Sequence, residues 1–251
     1  MSKNENIDIV RFGPADEDDR RNKLVELMDN SPIPEQEKLL NTGLFLTPQN
    51  LSRVLYIDHL YKQILETQGV VMEFGCRWGQ NLSLFTSLRG IYEPYNRLRK
   101  VIGFDTFEGF VDVDQKDGQE MKQGAYSVTE HYDDYLNQVL TLQEKESPLP
   151  HLKKYEVVKG DVCTTVPKYL EENPHTIIAL AYFDLDLYKP TKEVIEALLP
   201  RITKGAVIAF DEINDPACPG ETLALLETFG INNFHIKRYQ YNARTSYFIY
   251  Q

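Results

Sequence analysis

Carboxylates recur at one kind of place in this chain, at or just after short apolar runs rich in β-branched residues. Glu73 follows VVM, Asp105 follows VIGF and Asp161 follows YEVVKG. Asp184 and Asp186 follow IIALAYF, and Asp211 and Glu212 follow AVIAF. If these runs are neighbouring parallel strands, the acids line the edge formed by the strands' carboxyl ends, where open α/β sheets bind ligands. One such acid has an ordinary explanation as a helix N-cap, which applies to Asp161 and Asp211 individually. The whole row does not, because crowded negative charge needs donors or cations.

Asp184, Asp211 and Glu212 are hard oxygen donors of the kind that hold Mg²⁺. Such a cation would help ionise an acceptor hydroxyl, whose pKa is near that of water at about 15.7. Asp186, one pleat beyond Asp184, would point to the same side and accept the proton. His131, in VTEHYDDYL, is an alternative base. The other account of the acids is a cation-free cluster with raised pKa values.

The first acid opens the segment EFGCRWGQN. Gly75 permits a sharp turn and close approach of a ligand, and Gly79 lets the next helix pack closely. Arg77 stands where a dinucleotide fingerprint has its second glycine, so a pyrophosphate fits poorly. A ligand with no phosphate at this turn, such as the methionine end of S-adenosylmethionine, tolerates the bulk. Asp105 then suits the ribose hydroxyls and Asp161 the adenine amino group. Glu73, Gly75, Arg77, Gly79, Asn81, Asp105, Thr106, Phe107, Asp161 and Asp184 make up the candidate cofactor set. Arg77 or Arg53 would hold a carboxylate or phosphate.

The elements that must position these groups alternate along the chain. Strands are expected at Val70–Phe74, 101–104, 155–158, 177–183 and 206–210, with helices at 81–88, 164–172 and 191–199 between them. Continuous apolar strands separated by helices mean a parallel sheet covered on both faces. Candidates at 234–239 and 246–250 flank a polar turn and would finish the sheet with an antiparallel strand. Thr47-Pro48 starts a helix that runs to about residue 67. Residues 1–40 form a polar arm ahead of a domain at 41–251. The polar stretch at about 107–152, with a helix at 129–142, is too long for a simple connection and is expected to be a lid or an oligomer contact.

With 27 Lys and Arg against 38 Asp and Glu, the net charge is -11. No basic stripe could neutralise DNA phosphates, so no nucleic-acid partner is expected. No run approaches the ~18 apolar residues of a membrane span, so no membrane partner is expected either. Three separated cysteines, with no zinc-ligand spacing and no signal-peptide pattern, lead to the expectation of reduced thiols in a cytoplasmic protein.

The strings GFDTFEGF, QGAYSV, KGDVCTTVPKYL, ALAYFDLDLYKPT and AFDEIN resemble the macrocin O-methyltransferase (TylF-like) family, which methylates deoxysugars in antibiotic biosynthesis. EFGCRWGQN, RGIYEPYN and AYFDLDLYKPT together are most like its branch acting on the 3-hydroxyl of a nucleotide-linked rhamnose. The resemblance spans roughly residues 40 to 230. It implies a class I methyltransferase fold, a Rossmann-like α/β sheet of seven strands with helices on both faces, an N-terminal helical extension and a lid insertion. It also implies S-adenosylmethionine as cofactor and Mg²⁺ or another divalent cation at Asp184 and the pair Asp211-Glu212. Glu212 departs from the Asp-Asp pair frequent in the family. Asp186 matches the acid proposed as base in one branch, while other branches use a histidine. A sugar or sugar-nucleotide substrate and a homo-oligomer complete the implied picture. A catechol O-methyltransferase and a non-catalytic cofactor-binding protein are the alternatives.

Overall fold

The computed structural model describes residue 14 and residues 16–251; the rest of the expected arm, 1–13 and 15, lies outside the described residues. Seven strands form one sheet in the order β3-β2-β1-β4-β5-β7-β6. They are β1 (Val70–Phe74), β2 (Val101–Asp105), β3 (Tyr155–Lys159), β4 (Ile178–Phe183), β5 (Ile202–Phe210), β6 (Lys237–Arg238) and β7 (Ser246–Ile249). The first five run parallel, and β7 is antiparallel to β5 and β6. The expected seven-stranded class I architecture is therefore present.

The helices are α1 (Glu17–Asp29), α2 (Glu35–Lys38), α3 (Pro48–Gln63), α4 (Gln80–Tyr92), α5 (Tyr132–Glu146), α6 (Val162–Glu172), α7 (Tyr188–Leu198) and α8 (Gly220–Thr228). Alternate strand residues face opposite ways, and the core divides accordingly. Val71, Leu180, Val207 and Ala209 pack with α3, α4 and α5 on one face. Met72, Phe104, Ala181 and Ile208 pack with α6, α7 and α8 on the other. α3 starts as expected: Thr47 Oγ1 accepts the Asn50 N–H at 3.2 Å, with Pro48 at the first helical position.

Register decides where the acids stand. Phe74 lies opposite both Phe104 and Phe183, and Phe183 opposite Phe210. Their rings form a ladder across four strands, with centroids 5.4, 5.1 and 5.0 Å apart. This apolar floor brings the ends of β2, β1, β4 and β5 level, so the acids after them share one edge.

Three expectations need correction. β6 is two residues long instead of spanning 234–239, because only Lys237 and Arg238 pair with β7, while Phe234 packs its ring on Phe248, centroids 4.5 Å apart. β4 ends at Phe183, so Asp186 is not reached by a pleat; it sits in a turn at φ +59°. The 107–152 insertion is not all lid. α5 is the crossover helix between β2 and β3, clamped to α4 by a buried ion pair in which Arg89 Nη2 donates to both Glu144 oxygens at 2.7 and 2.8 Å. Only the segment before α5 borders the cavity described below.

α1 buries none of its residues, and Arg21 reaches Gln49 at 2.5 Å to tie it to α3. Among the described residues, no helix is long and apolar enough to cross a membrane.

Candidate active site

A cavity of about 1000 Å³ opens at the carboxyl edge of β1, β2, β4 and β5. From the cofactor set, Gly75, Arg77, Asn81, Asp105, Thr106 and Asp161 line it. Asp184, Asp186, Asp211 and Glu212 line it as well. Glu73, Gly79, Phe107 and His131 do not.

The β1–α4 turn is built for closeness. Gly75 has φ +88°, and a Cβ there would overlap the Asp184 carbonyl oxygen, so only glycine brings the β1 and β4 ends together. Gly79, at φ +72°, serves packing instead, since a Cβ would collide with the Leu136 side chain of α5. Asp105 accepts N–H bonds from Arg77 and Phe107, each at 2.6 Å. It thus pins the turn to the loop after β2, and burial raises its pKa. Thr106 Oγ1 braces the same loop by donating to Gly109 O at 3.0 Å. Asp161 is the N-cap of α6, accepting from Cys163 N at 2.9 Å, and also borders the cavity.

Glu73 is fully buried beneath the turn, and neither carboxylate oxygen has a hydrogen-bond partner. Burial, with Asp184 adding repulsion, pushes its pKa up to about 8. Asn81 Oδ1 is likewise buried and unpartnered. Arg77 projects into the cavity with its guanidinium 4.9 Å from the Tyr126 ring and 5.8 Å from the Trp78 ring. Its Nε is buried without a partner, and among the described residues it pairs with no carboxylate.

At the acid end, Arg53, expected to hold a ligand's carboxylate or phosphate, instead holds the protein's own acids, and Arg244 joins it. Arg53, from α3, donates through Nη2 to both Asp211 oxygens at 3.1 and 3.2 Å and through Nη1 to Asp184 at 3.4 Å. Asp211 Oδ1 also accepts from the buried Tyr182 hydroxyl at 2.9 Å. Arg244, from the turn between β6 and β7, pairs with Glu212 and, at 3.1 Å, with Asp215. The buried Glu221 of α8 accepts from Leu185 N at 3.0 Å and Glu212 N at 3.4 Å, which fixes both acid loops from below.

Crowding sets the protonation. Burial, then Asp211, pushes Asp184 up to about 8. Asp186 lies well above the usual carboxylate range through burial and repulsion from Glu212, Asp184 and Asp211. Among the described residues it is in no arginine ion pair, and its left-handed backbone is uncommon outside glycine. His131 lies elsewhere: it precedes α5 with its side chain 77% exposed, 3.7 Å from Glu130.

The donors suit a divalent cation in chemistry, being carboxylates, with Glu212 Oε2 buried and unpartnered. Their present arrangement is not a coordination nest. Among the described residues, no three such groups converge on a point, and Arg53 takes the cationic place between Asp184 and Asp211.

The chain is similar throughout to two structures of CalS11, described as a calicheamicin methyltransferase and as a TDP-rhamnose 3'-O-methyltransferase of calicheamicin biosynthesis. The first is 41% identical with a TM-score of 0.92, covering 99% of this chain and 98% of that one. The second is 40% identical with a TM-score of 0.85, covering 95% and 96%. The O-methyltransferase NovP, 16% identical over 79% of each chain with a TM-score of 0.59, shares the fold. No family model matches the chain, and no curated protein does. The likeness carried by EFGCRWGQN, RGIYEPYN and AYFDLDLYKPT is borne out by the CalS11 structures.

Proposed function

The chain belongs to the S-adenosylmethionine-dependent sugar O-methyltransferase family that includes CalS11, and from that membership we propose that it methylates a hydroxyl of a nucleotide-linked deoxysugar, TDP-rhamnose or a close relative. Similarity to CalS11 along nearly the whole of both chains carries this reading. CalS11 itself is a TDP-rhamnose 3'-O-methyltransferase, which favours a nucleotide-linked acceptor over a finished glycoside.

Bound in the cavity, S-adenosylmethionine supplies an electrophilic methyl group, and a divalent cation at Asp184, Asp211 and Glu212 lowers the cost of ionising the acceptor hydroxyl. The remaining work falls to the chain. Asp105 accepts the ribose hydroxyls while bracing the turn, and Gly75 lets the cofactor approach the backbone. Arg77, in no ion pair among the described residues, would hold the methionine carboxylate, and Asp161 would border the adenine end. Asp186 receives the hydroxyl proton, since an acid whose pKa is raised is the stronger proton acceptor once ionised. Tyr126, on the cavity wall, would help hold donor and acceptor in line, which is most of what a displacement needs.

A homo-oligomer is part of the reading. Leu39, Leu40 and Leu44 near the N-terminal end are 81, 83 and 68% exposed, an apolar surface that a second copy would cover.

The test is methyl transfer to a panel of TDP-linked 6-deoxysugars and to a catechol, with Mg²⁺ and after thorough chelation. Turnover confined to the sugars and abolished by chelation is expected. Catechol turnover alone would overturn the acceptor, and full activity after chelation would overturn the cation.

A further inference from the structure

Arg53 does something a bystander would not. Its Nη2 lies 3.1 and 3.2 Å from the two Asp211 oxygens, its Nη1 lies 3.4 Å from Asp184, and Tyr182 takes a further lone pair of Asp211 at 2.9 Å. A cation of Mg²⁺ size binds oxygen directly at about 2.0–2.1 Å. Arg53 and Tyr182 already take three of the roughly four lone-pair sites of Asp211, and an ion at that distance would stand against the like charge of the guanidinium.

We propose that Arg53 and a divalent cation compete for Asp184 and Asp211, so that the guanidinium is the site's own stand-in for the metal and sets how tightly the metal is held. The inference rests on the cation site proposed above. Arg53 is equipped for the exchange. α3 is held in place by Tyr56, whose hydroxyl donates to Ser246 O at 3.1 Å, and by the buried Ile57 and Leu60. The Arg53 side chain, by contrast, is 31% exposed and stands on the cavity wall. It can withdraw into the cavity without moving its helix. In the arrangement seen, it neutralises acids that would otherwise repel one another.

The proposal makes Arg53 a positioning residue that acts through Asp184 and Asp211, and metal affinity reads its role directly. Mn²⁺ binding to the purified chain is followed by the electron paramagnetic resonance of free Mn²⁺, for wild type, Arg53→Gln, Arg53→Lys and Asp211→Asn. Removal of the competitor should tighten Mn²⁺ binding at least about tenfold in Arg53→Gln. Arg53→Lys should fall between, because a single ammonium cannot keep one nitrogen on Asp184 and another on Asp211 as the guanidinium does. Asp211→Asn should weaken binding. General damage to the site would weaken binding in every variant, so tightening is specific to competition. Equal or weaker binding in Arg53→Gln, with Asp211→Asn still lowering affinity, overturns the competition and leaves the metal site standing. No Mn²⁺ binding in wild type or Arg53→Gln overturns the metal site and the competition together. If Arg53→Gln does not fold, Arg53→Lys decides: tighter than wild type supports the proposal, and equal or weaker overturns it.

Discussion

Asp105 reaches back from the end of β2 to accept the Arg77 backbone N–H at 2.6 Å. The residue expected to bind ribose is thus also the strut of the glycine turn, with Phe107 N–H on its other oxygen at 2.6 Å. If Asp105 takes the ribose, cofactor binding and turn geometry are coupled through one side chain. Asp105→Ala is expected to weaken S-adenosylmethionine binding about tenfold to a hundredfold, the loss of one or two hydrogen bonds to a charged acceptor. Isothermal titration measures this, and unchanged affinity would remove Asp105 from the cofactor site.

On the proposed reading, Arg77 meets the amino-acid end of the cofactor and not its adenosine. Its guanidinium faces the cavity between Tyr126 and Trp78 without a carboxylate partner among the described residues. Arg77→Leu should weaken S-adenosylhomocysteine binding about tenfold or more. It should leave 5'-methylthioadenosine, which lacks the amino-acid end, nearly untouched. Equal losses for both ligands would show that Arg77 shapes the turn and does not hold the carboxylate.

The two candidate bases stand in different surroundings, and their variants should diverge. Asp186→Asn is expected to lower kcat by about 10²–10⁴, the usual worth of general base catalysis, with cofactor affinity retained. His131, 77% exposed and off the cavity, should tolerate alanine with less than about a twofold change. Steady-state kinetics on the preferred sugar nucleotide distinguishes them, and the reverse order of effects would move the base to His131.

Glu73 makes stability depend on pH. Its folded pKa of about 8 lies above its ordinary 4.5, so the unfolded chain releases this proton first as pH rises. Stability is full below about pH 4.5 and falls until about pH 8, where the folded carboxyl also ionises. Glu73→Gln cannot ionise. It should flatten that slope and make the cofactor-free protein more stable at about pH 8, by up to about 4 kcal/mol. Asp184, also at about 8, leaves a residual slope. Thermal melts across this range give the answer, and a variant as steep as wild type would place the Glu73 carboxylate in a wetter environment.

Much of the sheet was legible because period and strand-end chemistry are local. The apolar runs located β1 to β4 to within a residue at each end and the last five residues of β5, whose start at Ile202 they missed, and the row of acids after them fell on one edge as parallel strands require. The partners of those acids were hidden by distance along the chain: Arg53 and Asp184 are 131 positions apart. Arg244 had a signal that sequence reasoning missed. It lies two residues before Ser246, which pairs with Phe210, while Glu212 lies two after Phe210. The polar turn expected between the last two strands therefore had to meet the acid pair. Asp186 lines the cavity with the other acids, but a left-handed backbone after β4 and not a strand pleat carries it there. Glu221 and Tyr182, which fix the acid loops, looked like ordinary helix and strand residues because burial is a property of the packed fold.

The central claim is methyl transfer to a sugar hydroxyl at the acid edge. The most direct measurement is a single turnover with S-adenosylmethionine carrying a carbon-13 methyl group and TDP-rhamnose as acceptor, followed by nuclear magnetic resonance for wild type and Asp186→Asn. The account predicts one new O-methyl signal on the sugar ring with the wild-type chain, strongly slowed in Asp186→Asn. A labelled methyl group that never reaches a sugar oxygen, while S-adenosylmethionine is bound and another acceptor is methylated, would contradict it.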